Sequence, residues 1–166
     1  ARAATFTVTT AGSDPFGLSL SAAIEAANAA GGADEIIFAP SLLGATISLA
    51  GSLSIADDLI ITGPGASQLT INAGGYATAF RVSGGAPFGM ISVEISGLTI
   101  TGGNGFRGGG IFNDGQDLTV RDARITGNAA DYGGGIYSYN GTVTVRNTTI
   151  DGNSVIRTSR YSMNRN

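Results

Sequence analysis

The sequence predicts an all-β fold, a parallel β-helix that carries one short α-helix at its N-terminal end. Glycine accounts for 27 of the 166 residues, about 16% against a usual share of roughly 7%, and short β-branched runs bounded by turn residues follow one another closely. The segments GGGIFNDGQDLTVRDARITGN (108–128) and GGGIYSYNGTVTVRNTTIDGN (133–153) align without a gap, 25 residues apart (133 − 108). Such a repeat is typical of a solenoid, in which each coil buries its apolar face against its neighbours.

The first strand and the helix come at the start of the chain. TFTVT at residues 5–9 alternates as a half-buried strand does. In the segment 18–32, Leu20, Ile24 and Ala27 recur at helical spacing before a pair of glycines, which predicts a helix over about residues 19–30. Because the terminal faces of a solenoid need a cover, we expect this helix to cap the first coil.

Strand-like segments follow from residue 35 onward. A β-sandwich and a solenoid both accommodate them, and the repeat favours the solenoid. We predict one β-helix domain over residues 1–153, with irregular early coils, regular coils over 100–153, and an atypical tail at 154–166. The tail is either a disordered or non-native end or a cover for the last coil. The segments are EIIFA, ATISLA, LSIA, LIITG, QLTIN, AFRVSG, ISVEISG and LTITGGN.

Equivalent residues of stacked coils form ladders, because neighbouring strands lie about 4.8 Å apart. The glycine triplets are interpreted as corners, where the chain needs tight bends or unusual φ angles. The motif GNGFRGGG lacks the Lys-Ser/Thr pair and the following helix of a phosphate-binding loop. The predicted structural ladders are the inward isoleucines Ile100, Ile125 and Ile150, the apolar pairs Leu118/Val143, Val120/Val145 and Ile111/Ile136, and the turn-bonding asparagines Asn128 and Asn153.

Composition excludes several classes of function. The net charge is −3 and all nine basic residues are arginine, so no basic face for nucleic acid is expected. The chain has neither cysteine nor histidine, which removes thiol nucleophiles, histidine-based metal centres and histidine-dependent triads. No apolar run approaches the roughly 20 residues of a membrane helix. We therefore predict no cofactor, no metal, no nucleic-acid partner and no membrane insertion.

Arg121 and Arg146 occupy the same position of neighbouring coils, with Asp122 and Asp151 nearby in sequence. One interpretation is a cationic strip for an acidic saccharide. The other, which we favour, is a pair of solvated arginines neutralised by these aspartates, since like charges one rung apart in water repel by less than about 1 kcal/mol.

Phe112 and Tyr137 form a second outward ladder, with Tyr139, Tyr132 and Phe106 close in sequence. Exposed aromatic rings one rung apart stack on sugar rings, pack against a partner, or only stabilise the coil. Of the two functional interpretations, a subunit contact is preferred to a sugar site.

A carbohydrate-active enzyme needs clustered carboxylates or calcium ligands. The alignment places no two carboxylates at one register, so a glycosidase pair would require unlike positions to converge. No EF-hand or nonapeptide calcium spacing occurs. An enzyme is thus the minority hypothesis. The acidic candidates are Asp114, Asp117, Asp122, Asp131 and Asp151.

The segment LSLSAAIEAAN (18–28) resembles the C-S-L-R-E-A-I-x-x-A-N cap signature of bacterial surface-exposed right-handed β-helix proteins. The segment LIITGPGASQLTINAGG and the later run LTITGGN…GGGI…ITGN…GGGI…IDGN are similar to the coils of those proteins. The GGGI units also resemble those of polymorphic outer-membrane proteins and related autotransporter passengers. The resemblance covers about residues 5–153. Leu18, Ser21 and Ala22 stand where the signature has Cys, Arg and Glu, so no role of those three residues carries over.

The resemblance implies a right-handed β-helix that is secreted or displayed on a bacterial surface. The leading hypothesis is a structural or adhesive role, with self-association into a homo-oligomer through the open C-terminal end. The alternative is a β-helix that binds or cleaves a polysaccharide at the face of Arg121 and Arg146.

Overall fold

The computed structural model describes residues 3–12, 16–84 and 89–156 of the chain. These residues form a parallel β-solenoid of about five turns with one short helix near the N-terminus. The predicted solenoid class is therefore confirmed. Most of the predicted tail, residues 157–166, lies outside the described residues.

In the described residues the strands form four parallel sheets that run along the solenoid. A 3-10 turn covers Pro40–Leu42. The first sheet contains, in order, β1 (Thr5–Val8), β2 (Asp34–Phe38), β5 (Leu59–Thr62), β8 (Ser92–Ser96), β12 (Asp117–Arg121) and β16 (Thr142–Arg146). The second contains β3 (Ala45–Ser48), β6 (Leu69–Asn72), β9 (Thr99–Thr101), β13 (Arg124–Thr126) and β17 (Thr149–Asp151). The third contains β4 (Leu53–Ile55), β7 (Phe80–Ser83), β11 (Ile111–Asp114) and β15 (Ile136–Tyr139), and the short fourth sheet contains β10 (Asn104–Arg107), β14 (Ala129–Tyr132) and β18 (Ser154–Val155).

The single helix of the described residues, α1 (Leu20–Ala30), packs against β1, β2 and β4. Ser19 precedes it as the N-cap, since its hydroxyl accepts a hydrogen bond from the Ala22 N–H at 3.2 Å. Asn28 links the helix to the first coil by two hydrogen bonds of 2.9 Å. Its side-chain N–H donates to Ser54 O, and its side-chain oxygen accepts from the Ala56 N–H. The buried side chains are Leu20, Ala23, Ile24 and Ala27. The helix covers the first coil, as predicted.

The isoleucine row of the second sheet extends beyond the three residues of the predicted ladder. Ile100, Ile125 and Ile150 are register partners on successive strands, and Ile71 and Ile47 continue the same row into the early coils. The predicted pairs Leu118/Val143, Val120/Val145 and Ile111/Ile136 are also register partners.

The early coils differ from the later ones in their loops and not in their ladders. Ile36 pairs with Ile61, again 25 residues on (61 − 36), whereas Ile61 pairs with Ile95 after 34 residues (95 − 61). The additional residues fall in the sequence between β5 and β8, outside the paired strands of the described ranges. A sequence comparison at fixed period misses these rungs for that reason.

The glycine triplets serve two different geometric needs. Gly108 and Gly133 have φ angles of 65° and 62°, in the left-handed region that glycine adopts at little cost. Gly109 has an ordinary φ, but a Cβ atom there would collide with the carbonyl oxygen of Gly134 on the next coil. The triplet therefore both turns the corner and lets adjacent coils approach each other.

Candidate functional site

The predicted arginine pair lies on the outward face of the first sheet. Arg121 and Arg146 are register partners, and we call this surface the arginine face. Arg121 donates to Glu94 at 2.7 Å and to Asp122 at 2.9 Å, and these hydrogen bonds raise the pKa of its guanidinium, with Asp122 the larger cause. Arg146 is exposed and makes no ion pair within the described residues. Two carboxylates therefore neutralise Arg121, and Glu94 was not among its predicted partners.

Asp122 is a turn residue as well as a charge partner. Its φ of 51° and the 45° of Asn147 one coil later place both in the left-handed region, which Asp and Asn tolerate better than most side chains. Asn147 donates to the Asp122 carboxylate at 2.5 Å, and this bond, followed by the one from Arg121, lowers the pKa of Asp122. The pair fixes the corner between consecutive coils.

Asp151 pairs with Arg124 and not with the arginine face. The Arg124 guanidinium approaches the Asp151 carboxylate to 2.8 Å across neighbouring rungs of the second sheet. This contact is the main reason that the pKa of Asp151 lies below its ordinary value, with Thr126 contributing less. The proximity of Asp151 to Arg146 in the sequence was therefore misleading, because the corner between β16 and β17 turns the two side chains onto different faces.

The predicted asparagine ladder bonds the backbone of the corners. Asn128 is buried; its carbonyl accepts from Gly103 N–H at 2.9 Å and its amide donates to Ile100 O at 3.0 Å. Asn153 repeats the pattern one coil later, donating to Ile125 O at 2.8 Å and accepting from the Asn128 N–H at 3.0 Å. The two side chains therefore bond the backbone of successive corners.

Phe112 points out of the coil but is not exposed, contrary to the prediction. Only 7% of its surface is accessible, because the Arg81 guanidinium lies 5.2 Å from its ring centroid and Tyr137 lies 5.9 Å away on the other side. The three residues are register partners on the third sheet. Phe112 is thus packed between Arg81 and Tyr137 in the outward row of the third sheet. The aromatic surface that solvent can reach belongs to neighbouring rings.

Arg107 lies at the centre of that accessible surface. Its guanidinium carbon is 5.8 Å from the ring centroid of Phe106, 5.9 Å from Tyr137 and 5.8 Å from Tyr139. Tyr132, its register partner on β14, packs edge-on against Phe106 at 5.4 Å. The aromatic cluster is defined as Phe106, Phe112, Tyr132, Tyr137 and Tyr139.

A shallow groove of about 250 Å³ lies beside the aromatic cluster. Arg81 on β7 and Arg107 on β10 line this groove. They were not among the predicted site residues, because the 25-residue repeat pairs neither of them with a second arginine. Arg81 aligns with Phe112 only through an irregular coil, and Arg107 aligns with Tyr132. The groove is lined by Ser52, Thr78, Arg81, Phe106, Arg107, Phe112 and Asp114.

In the described strands, the register pairs no acidic candidate with another carboxylate. Asp114 faces Tyr139 and Ser83, and Asp117 faces Thr142 and Ser92. Asp131 lies on β14 of the fourth sheet. Across the described ranges, no group of acidic residues is arranged to hold a metal ion.

Among the described residues, the last coil, defined as β15–β18, ends each of the four sheets. Its ladder residues are open: Ile150 is 47% exposed, whereas its register partner Ile125 is fully buried. Val145, Val155 and Ile156 are also exposed. Within the described residues, apolar side chains and strand edges are therefore both accessible at this end.

No family model, no curated protein and no solved structure matches the chain. In the part of the chain that the structure describes, no helix has the length and hydrophobicity needed to cross a membrane.

Proposed function

We propose that this chain is a structural or adhesive β-helix module of the bacterial surface or secreted fraction that associates with a second copy through its last coil. The observation that carries the proposal is the contrast between buried Ile125 and half-exposed Ile150 at the same ladder position. The likeness of residues 18–28 and of the glycine-rich coils to bacterial surface β-helix proteins supports the location and the class of function.

Strand edges and apolar surface at one end favour a protein partner. The unpaired N–H and C=O groups of an edge strand form hydrogen bonds with another strand, and proteins commonly cover such edges. Burying apolar side chains contributes roughly 25 cal/mol per Å². A second copy supplies both complementary edges and an apolar face of the same shape.

The two ends of the solenoid favour a symmetric arrangement. Helix α1 covers the first coil, so one copy does not continue directly onto the N-terminal end of the next. Contact between two last coils is isologous and closes after two copies, whereas head-to-tail contact produces open filaments. We therefore expect a closed dimer joined end to end.

The solution mass of the full chain tests this proposal. We expect sedimentation equilibrium to give a dimer at micromolar concentration and Ile150→Lys to give a monomer, because a buried charge without a partner disfavours the contact. Ile60→Lys is the matched control, since Ile60 is similarly exposed at 40% but lies in the middle of the first sheet. A wild-type chain that stays monomeric at high micromolar concentration contradicts the proposal, as does equal dissociation of both variants.

Polysaccharide binding or cleavage at the arginine face is the second candidate function. The observation in its favour is the exposed guanidinium of Arg146, which lacks an ion-pair partner in the described residues. Depolymerisation of acidic polysaccharides, with and without calcium, tests for cleavage, and Arg146→Gln tests the role of this face.

A further inference from the structure

The groove beside the aromatic cluster has one wall from β10 and one from the third sheet. Thr78 fastens the β10 wall, because its hydroxyl donates to Arg107 O at 3.1 Å. Arg81 and Phe112 form the opposite wall, on β7 and β11. Both walls therefore rest on hydrogen-bonded strands, which hold a binding site more rigidly than free loops do.

The groove carries excess positive charge on an acidic chain. No carboxylate forms an ion pair with Arg107 within residues 3–12, 16–84 and 89–156. Arg81 approaches Asp114 only to 4.0 Å, and their side chains are 52% and 41% exposed, so this surface pair is weak. Two guanidinium groups thus face one carboxylate, while the whole chain has a net charge of −3. Charge complementarity favours an anionic ligand, and the planar guanidinium binds carboxylates through paired hydrogen bonds.

The aromatic rings restrict which anion fits. Phe106 is 62% exposed and Tyr132 and Tyr139 are each 49% exposed around Arg107. The C–H face of a pyranose ring is apolar and slightly positive, and it packs on the electron-rich face of an aromatic ring. A simple inorganic anion would use only the arginines, and a neutral sugar only the rings. A sugar that bears a carboxylate uses both.

We propose that this groove binds an acidic saccharide, with Arg107 and Arg81 contacting a uronate carboxylate and Phe106 packing against a sugar ring. At about 250 Å³ it is smaller than the roughly 300–1,000 Å³ of typical small-molecule pockets, and its open shape suits one or two residues within a longer chain. Ser52, Thr78 and Asp114 supply hydrogen-bonding groups for ring hydroxyls. The proposal does not depend on self-association, and it assigns saccharide binding to a surface other than the arginine face.

Calorimetric titration with an oligogalacturonate of defined length tests the groove, with a neutral gluco-oligosaccharide of equal length as the comparison ligand. We expect Arg107→Gln to weaken oligogalacturonate binding about tenfold or more, as loss of a charge-assisted contact does. Arg124→Gln is the matched control, because it removes the same charge from an exposed side chain of the second sheet, and it is expected to change affinity less than about twofold. Phe106→Ala reports on the ring contact and is expected to weaken binding as well.

Tyrosine emission gives a local signal. Three of the five tyrosines belong to the aromatic cluster and the chain has no tryptophan, so the oligogalacturonate should perturb emission in the wild type and less in Arg107→Gln. The groove is ruled out if millimolar oligogalacturonate produces no heat, if the neutral oligosaccharide binds equally well, or if Arg107→Gln and Arg124→Gln weaken binding equally. A larger loss in Arg146→Gln overturns the groove and favours the arginine face. Sedimentation of each variant shows separately whether self-association is intact.

Discussion

The coils β11–β14 and β15–β18 have similar sequences in the same register, but their surroundings differ. Ile125 and Val120 are fully buried, whereas their partners Ile150 and Val145 are 47% and 42% exposed. In a solenoid each coil is buried by the coils before and after it. The same side chain therefore contributes less to folding stability at the end of the stack than in its middle. This comparison shows that burial here depends on position along the axis, and not on the repeat sequence alone.

Substitutions in the isoleucine ladder are expected to show the largest difference in stability between the two coils. Ile125→Ala should lower the free energy of unfolding by about 2–5 kcal/mol, because it opens a cavity between two coils. Ile150→Ala should cost about 1 kcal/mol, since the side chain is already half exposed. Chemical denaturation at a concentration that keeps the chain monomeric measures both values. Equal losses would mean that residues outside the described ranges, or a second copy, cover the last coil.

The asparagine ladder provides an intermediate test. Asn128→Ala should lower stability by about 1–3 kcal/mol, because it leaves buried backbone groups at Gly103 and Ile100 without partners. Asn153→Ala at the partly exposed corner should cost less, since water reaches the freed groups there. Thermal unfolding of the two variants under identical conditions gives the ranking, and a larger loss for Asn153→Ala would refute it.

Acid titration provides the smallest test. The pKa of Asp151 is lowered in the folded chain by Arg124, so its contribution is complete above the ordinary value of 3.8 and is lost as pH falls through the lower folded pKa. We expect wild type to melt slightly above Asp151→Asn at pH 6 and the difference to vanish near pH 2. Asp117→Asn is the control, because Asp117 is exposed and no described residue forms an ion pair with it. A difference that grows as the pH falls would contradict the assignment.

The regular coils were predictable at the level of individual residues. The ladder at Ile100, Ile125 and Ile150, the register of Arg121 with Arg146 and the bonding role of Asn128 all follow from a fixed repeat, because stacked strands force equal positions into contact. The early rungs at Ile47 and Ile71 were missed, since unequal corner loops break the period while leaving the ladder intact.

The candidate site was less predictable. The repeat predicted Phe112 and Tyr137 as an outward pair with Tyr139 nearby. It did not indicate that Arg81 covers Phe112 or that Arg107 lies among the rings. The residues in these contacts are about 30 positions apart in the chain and do not share a position of the 25-residue repeat. Distance along the chain likewise placed Asp151 beside Arg146, whereas the corner turns Asp151 toward Arg124.

The solenoid, the capping helix and the ladder partners of the regular coils follow from the amino-acid sequence, because strand period, helical period and a constant repeat are local or translational properties of the chain. The folded arrangement, in contrast, sets which outward side chains are covered, which arginines lack a carboxylate partner and which end of the stack is open, all within the described residues. Those properties depend on how corners of unequal length turn the chain and on how many coils lie beside each residue.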